Sequence, residues 1–327
     1  MQTLTRQGAF DADAVRAINQ NFANLFPSQG ASYFVDPAAG NDGNDGLTPA
    51  NAKRTLSAAY SLCAAGKNDV VYLLSDGATT STARLAANFD WAKNATHLVG
   101  VSSGVNISNR SRIAPAAAVT AFASFFTVSA SGCLFQNIQF FQGFDTGVAA
   151  EICVTVTGSR NHFVGCHIAG MGDAASATDT GSRNLKVSGG ENQFDDCAIG
   201  IDTVARTVAN ASVELSGGAA RNVFRNCLFP LYATGAGAFV LLTAAAAAID
   251  RFTLFDRCTF LNSIKSGSGT SITGACSMAA SAGGLLMFRD LAMVGCSALG
   301  ADATSKAQIY TFGPANGTST GIGANPA

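Results

Sequence analysis

Short runs in which apolar and polar residues alternate recur through the middle of the chain, and most of them stop at glycine. Val154 and Val156 precede Gly158, Leu185 and Val187 precede Gly189, Val213 and Leu215 precede Gly217, and Val240 and Leu242 make a fourth run. Side chains along a strand alternate between faces, so each run predicts a short strand with one buried face, and the glycine marks the turn that ends it. A second pattern follows, Phe-x-x-(Cys/Ile)-x-(Phe/Ile). It occurs at Phe135, Ile138 and Phe140, at Phe163, Cys166 and Ile168, at Phe194, Cys197 and Ile199, at Phe224, Cys227 and Phe229, and at Phe255, Cys258 and Phe260. Phe288, Leu291 and Met293 follow it more loosely. Successive phenylalanines lie 28, 31, 30, 31 and 33 residues apart. Two or three strands and their turns in about 30 residues make one coil of a solenoid, whereas a propeller blade needs about 40 or more.

The fold expected from this repeat is all-β: a right-handed parallel β-helix, a single-stranded solenoid with coils of about 30 residues, over residues 31–300. Coils stack about 4.8 Å apart, so equivalent residues form columns. Phe135, Phe163, Phe194, Phe224, Phe255 and Phe288 should make one interior column, and Cys166, Cys197, Cys227 and Cys258 another. In-register cysteines point the same way and suit the disulfide torsion poorly, so free thiols acting as small apolar fillers are expected. The residue after each phenylalanine reads Gln136, Val164, Asp195, Arg225, Asp256 and Arg289. The alternating signs of the last four predict an outward ladder of opposite charges.

The ends differ from the middle. Residues 1–30 form a separate piece in which Asp11 or Asp13 can cap a helix carrying Val15, Ile18, Phe22 and Leu25 or Phe26 on one face. This helical segment is expected to cap the solenoid or to dock on a partner. Residues 301–327 are expected to form an extended arm, because the last 15 are rich in glycine, asparagine, threonine and proline and too poor in apolar residues for a core.

Composition narrows the function. Charged residues are 13% of the chain, roughly half the usual share, and the formal net charge is −1 with no basic run. The footprint of a nucleic-acid binder is therefore missing. The longest apolar stretch, residues 238–249, is about half a membrane span, so no membrane partner is expected. The first ten residues lack the basic start and apolar run of a secretory signal. Nine cysteines without a Cys-x-x-Cys pair predict reduced, packed thiols.

Ahead of the repeats, Tyr33 is followed by Asp36-Pro37, then Gly40-Asn41-Asp42-Gly43 and Asn44-Asp45-Gly46-Leu47-Thr48-Pro49. A short helix to about Ala65 and a strand over residues 70–74 come next. This opening resembles that of the pectin-lyase-like right-handed parallel β-helix family, and most of all the phage virion β-helix proteins of capsid-decoration or tailspike type. With the repeats, the resemblance covers residues 33–299. It implies a virion structural protein that decorates or cements the outer capsid surface through its terminal arms. A homotrimer is expected, partnered by the major capsid protein, on the virion surface after assembly in the host cytoplasm. No enzyme activity and no cofactor are expected. The alternative is a tailspike-like polysaccharide lyase or glycoside hydrolase, with glycan as partner.

The candidate chemistry is sparse. For the enzyme alternative, the carboxylates and cations to consider are Asp195, Asp196 and Asp256 with Arg225 and Arg257, on outward or turn positions of neighbouring coils. A charge ladder and turn chemistry account for the same residues. Asp36, Asp42 and Asp45 could offer oxygens to calcium, yet Asn-Asp-Gly strings are ordinary turn formers and the EF-hand spacing is absent. His97, His162 and His167 lack metal-ligand spacing and are expected at the surface or in turns. Gly-x-Gly at residues 235–237 and 267–269, and Gly-x-Ser-x-Gly at 317–321, lack the strand and helix context of a nucleotide site or a nucleophile elbow.

Overall fold

The computed structural model describes residues 30–102, 104–117, 119, 122–143, 150–263 and 269–312. The expected helical segment with Val15, Ile18, Phe22 and Phe26, and the last 15 residues of the expected arm, lie outside the described residues.

The described chain is a right-handed parallel β-helix of three sheets. Sheet A has ten strands in simple sequence order from Ser32–Val35 to Ile309–Thr311. Sheet B has nine strands, most of them between Ala83–Leu85 and Ala292–Val294, and sheet C has seven, from Phe89–Trp91 to Cys276–Met278. Every ladder is parallel, and each coil visits A, B and C in turn. Phe163 on A leads to Ile168 on B and Leu185 on C, and Phe194 returns to A beside Phe163.

Side-chain stacking explains why these short strands hold. Phe135, Phe163, Phe194, Phe224, Phe255 and Phe288 are all essentially without exposure. Ring centroids are 4.7, 4.8, 4.6, 4.6 and 5.2 Å apart along the column. The four cysteines form the expected buried column, and each thiol donates to a phenylalanine carbonyl of the preceding coil: Cys166 to Phe135, Cys197 to Phe163, Cys227 to Phe194 and Cys258 to Phe224, at 3.3 to 3.5 Å. All nine cysteines are free. Burial pushes the Cys153, Cys197 and Cys276 thiols upward from their ordinary range, so these sulfurs are packing groups with suppressed nucleophilicity.

Two further columns shape the turns. Between sheets A and B, one residue per coil takes the left-handed conformation: Asn137, Gly165, Asp196, Asn226, Arg257 and Asp290, with φ between 50° and 58°. It reverses the chain in two residues and delivers the following Cys, Ile or Leu to the interior. Two residues ahead of the repeat phenylalanines, buried asparagines form a second ladder. The Cys133, Asn161 and Asn192 N–H groups donate to the side-chain oxygens of Asn161, Asn192 and Asn222, each at 2.9 Å. The amide nitrogens of Asn161, Asn192 and Asn222 donate to the Ala130, Gly158 and Gly189 carbonyls. Those glycines are forced by close approach: a Cβ at Gly158 would lie 1.8 Å from the Ala130 oxygen, and one at Gly189 1.8 Å from the Gly158 oxygen.

Three expectations need correction. In the fourth alternating run, Leu241 and Thr243, rather than Val240 and Leu242, align with Val213 and Leu215. Val240 and Leu241 are both fully buried, and two adjacent apolar residues leave the phase of a period-two pattern undetermined. Second, the body does not stop at residue 300. Ala303–Lys306 is a helical turn, and Ile309–Thr311 pairs with residues 286–288, so the first part of the expected arm belongs to the solenoid. Third, His97 and His167 are buried, 4% and 2% exposed, because each hydrogen-bonds along the stack.

Candidate functional site

The charged residues singled out from sequence divide between a ladder and a turn. Asp195, Arg225, Asp256 and Arg289 occupy one column on the outer face of sheet A. Asp195 accepts from His162 Nε2 at 2.9 Å and meets Arg225 Nη1 at 3.4 Å. Asp256, 1% exposed, accepts from Arg289 Nε at 2.6 Å, with Arg225 Nε at 3.6 Å and Arg257 Nε at 3.7 Å. The Arg289 hydrogen bond, then the charges of Arg289, Arg257 and Arg225, hold the Asp256 carboxyl below the usual carboxylate range. Asp196 is not with them; it is the exposed left-handed residue of its turn. Asp195 and Asp256 are two coils apart, roughly 9–10 Å along the stack, and both bond the Arg225 guanidinium between them. That is a neutralised ladder, in which both carboxylates are already engaged by guanidinium groups. Two more such clusters were not anticipated: Arg160 and Arg221 on Glu191, and Arg183 and Lys186 on the buried Glu214 at 2.8 and 2.9 Å.

Asp36, Asp42 and Asp45 are each tied to backbone. Asp36 accepts from the Ala38 and Ala39 N–H groups, Asp45 from Leu47, and Asp42 from Arg54 and Thr55. Among the described residues no group of three or more His, Cys, Asp or Glu converges on one point.

A cavity of about 210 Å³ lies against the outer face of sheet B. Arg112, Gln139 and His167 begin consecutive strands and stand in one column. On one side the short A-to-B turn is replaced by a longer loop, residues 104–111, and on the other the chain leaving sheet B at residues 200–204 completes the wall, so that the two cover the cavity floor. The first loop is pinned by Asn109, whose side-chain oxygen accepts from Ser102 Oγ at 2.6 Å and from the Ser111 N–H at 2.9 Å, while its amide donates to Asn137. Ser108 there takes φ 58°, a conformation that costs on the order of 1 kcal/mol, and aims its N–H at His167 Nδ1, 3.0 Å away. On the opposite wall Gly200 has φ +125°, and a Cβ there would lie 2.3 Å from the Pro230 oxygen.

These contacts fix the protonation pattern of the column. A backbone N–H can only donate, so His167 Nδ1 is unprotonated and Nε2–H donates to the Gly200 carbonyl at 3.0 Å. Gln139 Nε2 then donates to Nδ1 at 3.0 Å, which turns its carbonyl oxygen toward Arg112 Nε at 2.6 Å. Burial lowers the His167 pKa, reinforcing the neutral ring. Both ring nitrogens are occupied, so His167 serves to orient rather than to exchange protons. Arg112 is half-buried, its guanidinium 5.2 Å from the centroid of Phe141, and Asp202 lies exposed at the rim. Nothing in the local sequence marks this cavity, because its three polar residues lie 27 and 28 positions apart; the repeat phase could have aligned them.

No family model matches the chain, and no curated protein matches it in sequence. Among solved structures, a pectin methylesterase mutant in complex with a hexasaccharide aligns with 90% of this chain and 92% of its own at 15% identity and a TM-score of 0.59. The pectin methylesterase PemA from Erwinia chrysanthemi aligns over the same shares at 14% identity and 0.56. A rhamnogalacturonan lyase aligns over 81% of this chain and 68% of its own at 16% and 0.52. The fold is that of the pectin-lyase-like right-handed β-helix. At these identities the likeness carries the fold alone. It nevertheless overturns the expectation of no enzyme activity, because the methylesterases and the lyase just described share this fold, and the absence of recognisable catalytic residues in the sequence was no ground for that expectation.

Proposed function

We propose that this chain is a virion structural protein whose β-helix body attaches to the outer surface of a capsid, with the major capsid protein as partner, and stabilises it. The C-terminal end of the body carries the reading. Leu285, Met293, Val294 and Phe312 are 43%, 39%, 52% and 40% exposed on the last coil, and Ala292–Val294 and Ile309–Thr311 are edge strands. An exposed apolar edge invites pairing with another chain. In the sequence, Phe312 is followed by a segment rich in glycine, asparagine, threonine and proline. An apolar rim of this kind suits docking on a large partner, and a homotrimer would match a threefold position on a capsid assembled in the host cytoplasm. In co-sedimentation with capsids, the full chain should pellet. Met293→Lys with Val294→Lys, or truncation after Phe312, should release it while the circular dichroism of the body is kept. Undiminished pelleting by both variants sinks the docking role of this end, and a monomer mass by light scattering removes the trimer.

A second reading, action on a pectin-type polysaccharide, is favoured by the methylesterases and the lyase that share the fold. Incubation of the full chain with methylated pectin and with rhamnogalacturonan should then release methanol or new unsaturated ends; release of neither removes this reading.

A further inference from the structure

We infer that the cavity on sheet B binds a small hydroxycarboxylate, with the carboxylate on Arg112 and the hydroxyl groups toward Asp202. This inference is independent of both readings above. Arg112 gives Nε to Gln139, while its two terminal nitrogens have no hydrogen bond or ion pair among the described residues. A guanidinium left half-buried with its forked edge open is matched by a carboxylate in bidentate geometry. Arg84 and Arg110 add positive charge around it.

The column beneath Arg112 ties the two walls of the cavity to the body through His167 and is not something the solenoid needs in every coil. In later coils the same column reads Ala198, Leu228 and Thr259, with no buried hydrogen-bonded chain, and the stack continues undisturbed. Gln139 and His167, each 2% exposed, are polar groups placed only where the cavity lies. Their hydrogen bonds settle the orientation of the Gln139 amide and, through it, of the guanidinium. Such advance positioning lowers the entropy lost on binding.

Asp202 decides the kind of anion. Asp202 lines the cavity with Arg112, and although its Oδ2 accepts from Ser263 Oγ at 3.2 Å, its charge would repel a dianion such as phosphate, which offers little hydrogen to donate, whereas a hydroxylated monocarboxylate can donate an O–H group to the remaining acceptor positions. Ile107, Ile201 and Pro230 supply apolar wall for a short carbon skeleton. About 210 Å³ is below the range for drug-sized ligands and suits one small unit.

Titration calorimetry on the full chain tests this with sodium D-glucuronate, sodium D-gluconate, D-glucose and inorganic phosphate. At least one acid should bind saturably, about tenfold or more tighter than glucose and phosphate. Preference for glucuronate would assign the site to a ring sugar acid, and preference for gluconate to a free open-chain hydroxy acid. Arg112→Gln should weaken the acid about tenfold or more, and Arg112→Lys, which keeps the charge and loses the fork, should also weaken it if the glutamine variant fails to fold. Asp202→Asn should weaken the acid and let phosphate compete. Acids binding no better than glucose, phosphate binding as tightly as the acids, or undiminished acid binding by the Arg112→Lys variant would overturn the assignment.

Discussion

Asp256 has more to lose from acid than a surface carboxylate, because it is 1% exposed and meets three arginines. Its pKa in the fold lies below the unfolded value of about 3.9, so the stability it contributes is present above that value and is lost as pH falls through the folded pKa. Asp256→Asn should destabilise the protein by roughly 1–2 kcal/mol at pH 7, a figure discounted because the arginines are 38–54% exposed. The thermal midpoint of the variant should also fall less steeply than that of the wild type below about pH 4. A variant with the same acid profile as wild type would show that carboxylates other than Asp256 set the acid limit. For His167 the direction is that of a buried neutral base: its lowered pKa means stability declines as pH drops below about 6.5.

At the scale of the coil, the ladders that hold successive turns were unequally visible in the sequence. The phenylalanine and cysteine columns were legible because apolar residues at a fixed spacing advertise burial. The charge ladder was legible because its members follow the phenylalanines directly. The asparagine ladder escaped notice, although Asn161, Asn192 and Asn222 each stand two residues before a repeat phenylalanine, because a polar residue beside a turn reads as exposed until its partners are placed. The left-handed column had its own signal too, since Asn137, Gly165, Asp196 and Asn226 are residue types that tolerate positive φ. The sheet B cavity was not legible. It depends on the loop before Arg112, whose length is an exception to the repeat, and periodicity describes what recurs. Asn192→Ala should cost about 2–4 kcal/mol, because it orphans the buried Asn161 N–H and the Gly158 carbonyl. A denaturation midpoint within experimental scatter of wild type would reduce that ladder to an ornament of the turn.

Across the whole molecule, stability should be graded along the axis. Coils with neighbours on both sides bury their faces twice, whereas the last one, with Ala292–Val294 exposed throughout, is supported from one side only. Native-state hydrogen exchange should therefore be slowest at the amides of residues 163–164 and 194–195 and fastest at 292–294 and 309–311. Uniform protection from end to end would overturn this gradient and mean that another segment or chain covers the terminal coil. The repeat also has a consequence for how the molecule can change size. Because Phe163, Phe194, Phe224 and Phe255 occupy interchangeable rungs, duplication of one unit, such as residues 194–223, should lengthen the rod by about 4.8 Å and leave both extremities as they were. The body is then a ruler graduated in whole steps, whose reach can be altered without redesigning either tip.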